Sequence, residues 1–544
     1  MDTHGIASAW LTKLSSYLEQ KDASGFTSLI HSHGWFRDLL VFTWNLRTLN
    51  GQGQISKYSS ANIGSTTISD VQLCSDAYFK PGSGDQPGSV SSGFTFSTSV
   101  GNGRGLFTLT QVSSDSGSEW KAFNLLMALE SLKGFEPIGA EQGVYHGQSF
   151  SWSEVRENRQ RVTEEDLQAL VVGGGQNGLQ VAARFQQMGI PTLVVEKNAR
   201  IGDQWRKRYP SLTLHSTKQY HTLLYQPYPQ NWPRYTPRDK IADWLEQYAV
   251  SQDLFVWTKS HPLPTPSYDP KTKRWTISID RDGQITVIHP KHIVLATGTL
   301  GEPYVPDIEG RDLFKGQAFH SEHFPGGSSF AGKRVVVVGT GNSAADIALD
   351  LHVRGAEEQT GARQLFRTNS QNSDWSSNRT FYGQRQAYTR RTGSCRDERN
   401  FGPGGAGLLP LAYEDLSGKS ALFKLCIIHV ERSLQDTIKS GTGIQKFSEN
   451  ALVLDDGSTL EADAIVFATG YVHRRSVTKK IFGDVIDKTG PVYNIDEAGE
   501  TRGGYRPTGH PGLWYAPGDF EASRFGSRLL AIQLQALELG YMNL

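Results

Sequence analysis

Twice in this chain a run of apolar residues ends in a glycine-rich turn that opens a helix, and this pattern constrains the fold more than any other feature. The first instance is Leu170-Val171-Val172 followed by Gly173-Gly174-Gly175-Gln176-Asn177-Gly178. Its helix carries Val181, Phe185 and Met188 on one stripe, and a second strand, Leu193-Val194-Val195, ends in Glu196-Lys197. The second instance is Val335 to Val338 followed by Gly339-Thr340-Gly341-Asn342-Ser343-Ala344. Its helix has apolar residues at Ala344, Ile347, Ala348 and Leu351, the i, i+3, i+4, i+7 spacing of one buried face. The next strand candidate, Gln364-Leu365-Phe366, ends in Arg367-Thr368.

Strand, glycine turn, helix and strand at this spacing predict a parallel α/β unit that binds a dinucleotide. Gly173 and Gly339 permit the tight turn. Gly175 and Gly341 let backbone approach a pyrophosphate. Gly178 lets helix and strand pack closely, and Ala344 is an accepted replacement at that place. Each helix N-terminus offers unpaired N–H groups and a positive dipole end to phosphate. The two units differ where an adenosine ribose would lie. Glu196 can accept ribose hydroxyls and would repel a 2′-phosphate, whereas Arg367 can pair with one. Opposite charges at equivalent places imply two nucleotides, a bound FAD in the first unit and NADPH in the second.

The rest of the chain bounds this reading. A length of 544 residues calls for several domains. Its 55 basic and 55 acidic residues cancel, which argues against nucleic acid or a membrane surface as partner. The three cysteines, Cys74, Cys395 and Cys426, form no CxxC pair, so a dithiol–disulfide reductase and a structural metal site are disfavoured. No leader or membrane segment is evident, and the expected location is cytoplasmic.

Residues 1–165 follow a different pattern. Trp10, Leu14, Tyr17 and Leu18 have helical spacing; later runs, such as Phe94-Thr95-Phe96, Leu106 to Leu109 and Trp120 to Met127, read as antiparallel strands. We expect helices followed by a curved sheet, an α+β unit whose pattern resembles the cone-shaped SnoaL-like fold. It serves as a structural or homodimer-forming appendage, or as a wall of the downstream site. Residues 151–166 are polar and read as a linker.

Ile293-Val294-Leu295-Ala296-Thr297-Gly298 is nearly repeated as Ile465-Val466-Phe467-Ala468-Thr469-Gly470. The two runs flank the second glycine turn and suggest an insertion. The expected organisation is thus α/β, with two Rossmann-like units behind the N-terminal domain. Residues 166–329 and 456–544 form the FAD unit, and residues 330–455 form an inserted NADPH unit.

Between the glycine turns, Phe314-Lys315-Gly316-Gln317-Ala318-Phe319-His320-Ser321-Glu322-His323-Phe324 fits the FxGxxxHxxx(Y/F) signature of the flavin-containing monooxygenases. From residue 165 onward the chain resembles that family, and its layout is most similar to fungal and bacterial relatives of the plant auxin-forming enzymes. Gly202-Asp203-Gln204-Trp205 and Tyr209-Pro210-Ser211-Leu212 resemble the family's GGxW and YPSL runs, with Asp203 replacing a glycine. The resemblance adds Gln204, Trp205, Gly298, Gly518 and Asp519 to the cofactor-binding candidates, beside Gln176, Lys197, Asn342, Ser343 and Thr368 from the glycine units. It makes His215 and His320 the catalytic candidates. His215 replaces the asparagine of animal members, and a packing histidine is the alternative reading. No metal is expected.

The resemblance implies that NADPH reduces FAD, that oxygen adds at flavin C4a, and that one oxygen atom passes to a small nitrogen, sulfur or 2-oxo-acid substrate. Baeyer–Villiger insertion into a ketone is the alternative within the class; Phe324 stands where those enzymes usually have tryptophan. A flavin-binding sensor is the alternative outside it. A glycine-rich loop, Asn400 to Gly407, and basic residues Arg390, Arg391 and Arg396 could border the substrate.

Overall fold

The computed structural model describes residues 2–544 apart from 115–116, 299–300, 340, 356–426, 431–436, 440–442, 473 and 494. Arg367, Thr368, the strand expected at 364–366 and the Asn400 to Gly407 loop with its basic residues lie outside the described residues.

The N-terminal unit starts with helix α1 (Thr3–Glu19), whose first turn is capped by the Asp2 carboxylate accepting from Gly5 N–H at 2.8 Å. Trp10, Leu11, Leu14 and Leu18 form its buried face. Then come α2 (Ala23–Ser28), β1 (Ile30–Leu39), β2 (Leu46–Asn50), α3 (Gly51–Asn62) and strands β3 (Ile68–Leu73), β4 (Gly82–Ser83), β5 (Val90–Thr98), β6 (Gly101–Ser114) and β7 (Gly117–Leu132). The sheet order is β2-β1-β7-β6-β5-β3, with β4 on β5.

Two features depart from the sequence reading. Strands β1 and β2 fall between helices, and β1 runs parallel to β7 while the other pairs are antiparallel. The polar start of β1, His31-Ser32-His33-Gly34, hides a strand whose later residues Phe36 and Leu39 are fully buried. The polar stretch read as a linker is a helix, α4 (Trp152–Glu165). It buries only Val155 and rests on local bonds instead: a Ser151/Glu154 capping box and an Arg161–Glu165 pair one turn apart.

The first nucleotide unit contains β8 (Ala169–Val172), α5 (Gln176–Gln187), β9 (Thr192–Val195), α6 (Asp203–Arg206), α7 (Arg238–Ser251) and β10 (Val256–Trp257). A small antiparallel sheet follows, made of β11 (Ser260–Pro262), β12 (Ser267–Asp269), β13 (Arg274–Arg281) and β14 (Gln284–Ile288), and leads to β15 (His292–Leu295). The second unit contains β16 (Gln317–His320), β17 (Val335–Val338), α8 (Asn342–Gly355), β18 (Ile427–Val430), β19 (Thr437–Lys439), a hairpin sheet β20 (Ile444–Phe447), β21 (Ala451–Leu454) and β22 (Thr459–Glu461), and β23 (Ala464–Phe467). Helix α9 (Arg474–Phe482), β24 (Leu513–Tyr515) and α10 (Phe520–Glu538) end the chain.

The pairing shifts the expected boundaries. The first sheet runs β10-β9-β8-β15-β24, all parallel. The second runs β16-β23-β17-β18-β19. Strands β16 and β23, expected in the first unit on either side of 330–455, therefore belong to the second, and the chain re-enters the first sheet only at Leu513.

The repeated Ala-Thr-Gly runs acquire a different meaning from this. Each follows the strand beside the glycine-turn strand of its own sheet. Ala296 N–H donates to Val172 O at 2.9 Å, and Ala468 N–H donates to Val338 O at 2.8 Å. A Cβ on Gly173 would come within 2.5 Å of Ala296 O, and one on Gly339 within 2.3 Å of Ala468 O. The echo is one packing solution used twice, and the second unit lies in the chain between β15 and β24 of the first.

The N-terminal unit joins the first nucleotide unit through a shared apolar core, in which Leu126, Leu129 and Leu132 pack with Leu530 and Leu534 of α10. A buried bidentate pair crosses the same boundary: Arg37 Nε and Nη2 each donate to Glu500 at 2.7 Å. A second core, with Trp205, Tyr209 and Ile241 on one side and Phe324, Val337, Ala344 and Ile347 on the other, joins the two nucleotide units. Among the described residues no helix is long and apolar enough to cross a membrane.

Candidate functional site

The first glycine turn is built from contacts that leave no room for side chains. Gly173 has φ +112°, in the region open chiefly to glycine. A Cβ on Gly178 would lie 1.9 Å from Gly173 O, so helix α5 can start this close to β8 only with glycine there. Gly175 caps the helix in an extended conformation with no side-chain bond, which leaves the first-turn N–H groups open.

Glu196, at the end of β9, is 5% exposed. Its Oε2 accepts Gly174 N–H at 2.8 Å, and its Oε1 accepts Asn198 N–H at 2.8 Å and Nδ2 at 2.7 Å. These bonds fix the carboxylate against the turn, and Oε2, with one donor, keeps capacity for a second. Lys197 beside it is exposed.

Several site candidates from distant parts of the sequence meet here. Asn177 Nδ2 donates to Ala516 O at 3.1 Å and Gly518 O at 2.9 Å. Ser523 Oγ donates to Asn177 O at 3.2 Å. These bonds bring the Gly518-Asp519 turn and the start of α10 to the start of α5. Gly518 has φ +98°, and Asp519 caps α10 by accepting Ala522 N–H at 3.0 Å. Gly298, with φ +92°, closes the run after β15.

Gln204 reaches the same place. Its Nε2 lies 3.4 Å from where a Gly175 Cβ would stand. Both its amide atoms, the Asn177 Oδ1 and the Trp205 Nε1 are buried without a hydrogen-bond partner among the described residues. An unpaired buried polar atom costs about 1–3 kcal/mol. Four around one glycine turn are what a site for a polar ligand leaves when that ligand is not included. The residues present therefore fit a dinucleotide.

The second turn is more open. Gly339 has φ +133°. Gly341 and Asn342 are exposed, and among the described residues a Cβ on Gly341 would meet nothing within 4 Å. Ala344 is fully buried and carries the Cβ that the first turn cannot take, so α8 starts farther from its strand than α5 does. On its outer side β17 pairs with β18, antiparallel, among the described residues.

The signature residues shape the second unit. Gly316 has room for no side chain: a Cβ would lie 2.5 Å from Asp463 O and 2.6 Å from the Phe314 ring. This lets β16 lie parallel beside β23. Phe314 packs on Phe447, with ring centroids 5.6 Å apart, and Phe324 stacks on Phe330 at 5.8 Å. His320, one of the catalytic candidates, bonds to backbone through both ring nitrogens. Nδ1 accepts Glu322 N–H at 3.1 Å, so Nε2 is the protonated nitrogen and donates to Gly470 O at 2.9 Å. Burial holds the ring below its usual pKa. Both nitrogens are thus committed to backbone, where they join β16 to the turn after β23.

His215 lies elsewhere. Its Nε2 is 3.0 Å from both carboxylate oxygens of Asp346 on α8, and Tyr209 Oη donates to Asp346 Oδ2 at 2.7 Å. Neither Asp346 nor Tyr209 stood among the site candidates. An acid one turn inside an amphipathic helix reads as solvated surface, and only the fold shows what it faces. Ser343, which was a candidate, lies near the Tyr209 hydroxyl. Nearby, His221 is 4% exposed; its Nε2 is 2.7 Å from Ser216 Oγ, and burial, aided by Arg524, pushes its pKa down to about 4.

Comparison with known proteins places parts of this chain beside known flavin and pyridine-nucleotide enzymes. The family described as pyridine nucleotide-disulphide oxidoreductase matches residues 170–380. Cys74, the one cysteine among the described residues, is buried in the N-terminal unit, far in sequence from both glycine turns. The chain is 29% identical over 325 residues to the probable indole-3-pyruvate monooxygenase YUCCA3 of Arabidopsis thaliana, covering 56% of this chain and 72% of that protein. It is 34% identical over 190 residues to the indole-3-pyruvate monooxygenase YUCCA1 of Oryza sativa subsp. japonica, covering 35% and 46%. Among solved structures, a flavin-containing monooxygenase from Stenotrophomonas maltophilia superposes with a TM-score of 0.44 at 21% identity, covering 69% of this chain and 99% of that one. Along its nucleotide-binding part the chain is thus similar in sequence to flavin-dependent monooxygenases.

Proposed function

We propose that the first glycine turn holds FAD, that the second holds NADPH, and that the protein transfers one atom of O2 to a small organic substrate. The observation that carries this is the set of unpaired buried polar atoms on Gln204, Asn177 and Trp205, in the segments that form and follow the first turn, with the carboxylate of Glu196 fixed on Gly174 N–H. A flavin reduced by a nicotinamide supplies both the electrons and the activation of oxygen.

The chain's own residues bind, orient and exclude water. Gly173, Gly175 and Gly178 let backbone N–H groups of α5 approach a pyrophosphate, and Gln176 stands at the helix start. Glu196 receives the ribose hydroxyls, and Gln204 and Trp205 supply further donors. Gly518 and Asp519 place the start of α10 beside the same ligand. At the second turn Gly341, Asn342 and Ser343 offer open N–H groups, and Arg367 with Thr368 would meet a 2′-phosphate. The apolar contact between the units, from Trp205 and Tyr209 to Phe324 and Ala344, keeps water from the region between them. Excluding water suppresses wasteful release of hydrogen peroxide.

Of the expected substrates, a 2-oxo acid is favoured by the relatives, which are named for indole-3-pyruvate. Incubation with NADPH, O2 and a panel of 2-oxo acids, amines, sulfides and ketones tests the proposal. It predicts oxygenated product and NADPH consumption that rise together with one class. A ketone-only product would favour Baeyer–Villiger insertion. NADPH oxidation that yields only hydrogen peroxide with every class would overturn the monooxygenation, and a protein that leaves NADPH untouched would fit a sensor.

A further inference from the structure

Asp346 is a polar residue through which the two nucleotide units touch. It lies on α8, five residues after Gly341 and about 6 Å along the helix axis from Asn342. Its carboxylate takes the Tyr209 hydroxyl at 2.7 Å and His215 Nε2 at 3.0 Å, and both partners come from the first unit. Those partners are themselves fixed. Tyr209 is 6% exposed, and Leu214, next to His215, donates its N–H to Thr236 O at 2.9 Å.

We propose that Asp346 is a positioning residue which, through His215 and Tyr209, holds the start of α8 and its glycine turn in register with the first unit, and holds it most firmly when His215 is protonated. The alignment of the two nucleotides rests on the function proposed above; the tie itself does not. A carboxylate accepts from an imidazolium roughly twice as strongly as from a neutral ring. A helix is stiff over one turn, so a shift at Asp346 moves the glycine turn with it. A misplacement of about 1 Å between reacting groups can slow a reaction by about 100-fold.

The hydrogen bond to Asp346 raises the His215 pKa above its usual value, and burial opposes the rise. A raised value means that the charged tie is complete below about pH 6.5 and weakens to a neutral hydrogen bond as pH climbs through the folded-state pKa. Asp346 is the charged group facing His215 from α8. Tyr209 shares its carboxylate, while Ser343 and Arg208 act on Tyr209. The His215 side chain is 36% exposed, open enough to follow the pH of the solvent.

The test uses the flavin-loaded full chain as wild type, Asp346→Asn and His215→Gln. Backbone hydrogen exchange is measured at 209–216 and 342–350 at several pH values, corrected for intrinsic exchange. The rate of flavin reduction by NADPH is measured anaerobically on the same samples. We expect both wild-type segments to lose protection as pH rises from 6 to 9, and Asp346→Asn to lack protection already at pH 6. Flavin reduction in Asp346→Asn should fall about tenfold and lose its dependence on His215, with NADPH affinity within about threefold of wild type. His215→Gln keeps a donor but cannot titrate, so its exchange should be flat with pH.

Wild-type protection and a wild-type pH profile in Asp346→Asn would overturn the proposal, as would a wild-type pH step in His215→Gln. If Asp346→Asn fails to load flavin, His215→Gln decides alone. If NADPH does not reduce the wild-type flavin, the proposed function fails, and exchange still decides the tie.

Discussion

The two glycine turns begin alike and end differently. In both, a buried parallel strand delivers a glycine with positive φ against the carbonyl of an alanine on the neighbouring strand. Beyond that point the first turn is closed. Gly178 touches Gly173, Gly174 is wedged between Ile201 and Glu196, and a parallel β9 follows the helix. Among the described residues the second turn is more open: nothing lies within 4 Å of a Gly341 Cβ, and Ala344 holds the helix off. A closed turn suits a ligand that stays, and an open one suits a ligand that comes and goes. The difference matches a resident flavin and a diffusing nicotinamide nucleotide.

Substitutions at equivalent places should therefore have unequal effects. The largest is expected for Gly178→Ala, whose methyl would stand 1.9 Å from Gly173 O. It should cost about 3 kcal/mol or more and release the flavin, measured as bound flavin per chain and melting temperature. Normal flavin content would show that the closeness of this turn is not needed.

Acid should come next, and it should act on the first unit. His221 is neutral in the fold because burial lowers its pKa from 6.5 to about 4. A lowered histidine pKa means that the unfolded chain binds the proton more tightly, so stability is full above pH 6.5 and falls as pH drops toward 4. The loss approaches about 3 kcal/mol when protonation is complete. Chemical denaturation of wild type and His221→Gln from pH 7 to 4 checks this; equal slopes for the two proteins would remove His221 from the account. His215, six residues earlier, responds in the opposite direction, so acid weakens the first unit while alkali loosens the tie between the units.

Arg367→Ala should lower the preference for NADPH over NADH by about 10- to 50-fold, the worth of one charge-assisted pair, and leave flavin content unchanged. Steady-state kcat/KM with both nucleotides checks this, and an unchanged preference would place the 2′-phosphate elsewhere. The smallest effect belongs to Ala344→Gly, the mirror of Gly178→Ala. It should cost about 1 kcal/mol through helix propensity and a lost buried methyl, with flavin retained. Flavin loss here would erase the asymmetry.

Much of this was legible from residue order, and the reasons are local. The glycine turns, their helices and the strands before them depend on near neighbours, so spacing alone specified them. Glu196 was legible for the same reason. Domain boundaries were not, because strand pairing is non-local: nothing in Gln317 to His320 or Ala464 to Phe467 states which sheet will take them. The Ala-Thr-Gly echo was visible, but its meaning required the approach of Gly173 to Ala296. Helix α4 was missed because it has almost no apolar stripe and holds itself by its cap. His320 was legible as part of the signature run, but its two backbone partners, on Glu322 and Gly470, required the fold. Asp346 could have been suspected as an acid on a nucleotide-binding helix, but its partners lie more than 130 residues away.

The account turns on the second glycine turn binding a nucleotide distinct from the one at the first. Gly341→Val isolates that claim, since among the described residues nothing beyond its chain neighbours lies within 4 Å of the Cβ. Flavin content, melting temperature and the anaerobic rate of flavin reduction by NADPH are to be measured on this variant and on wild type. We predict wild-type flavin content, stability within about 1 kcal/mol, and reduction by NADPH slowed at least about tenfold with a raised NADPH requirement. Reduction by NADPH at the wild-type rate and concentration dependence would contradict the assignment of two nucleotides to two turns.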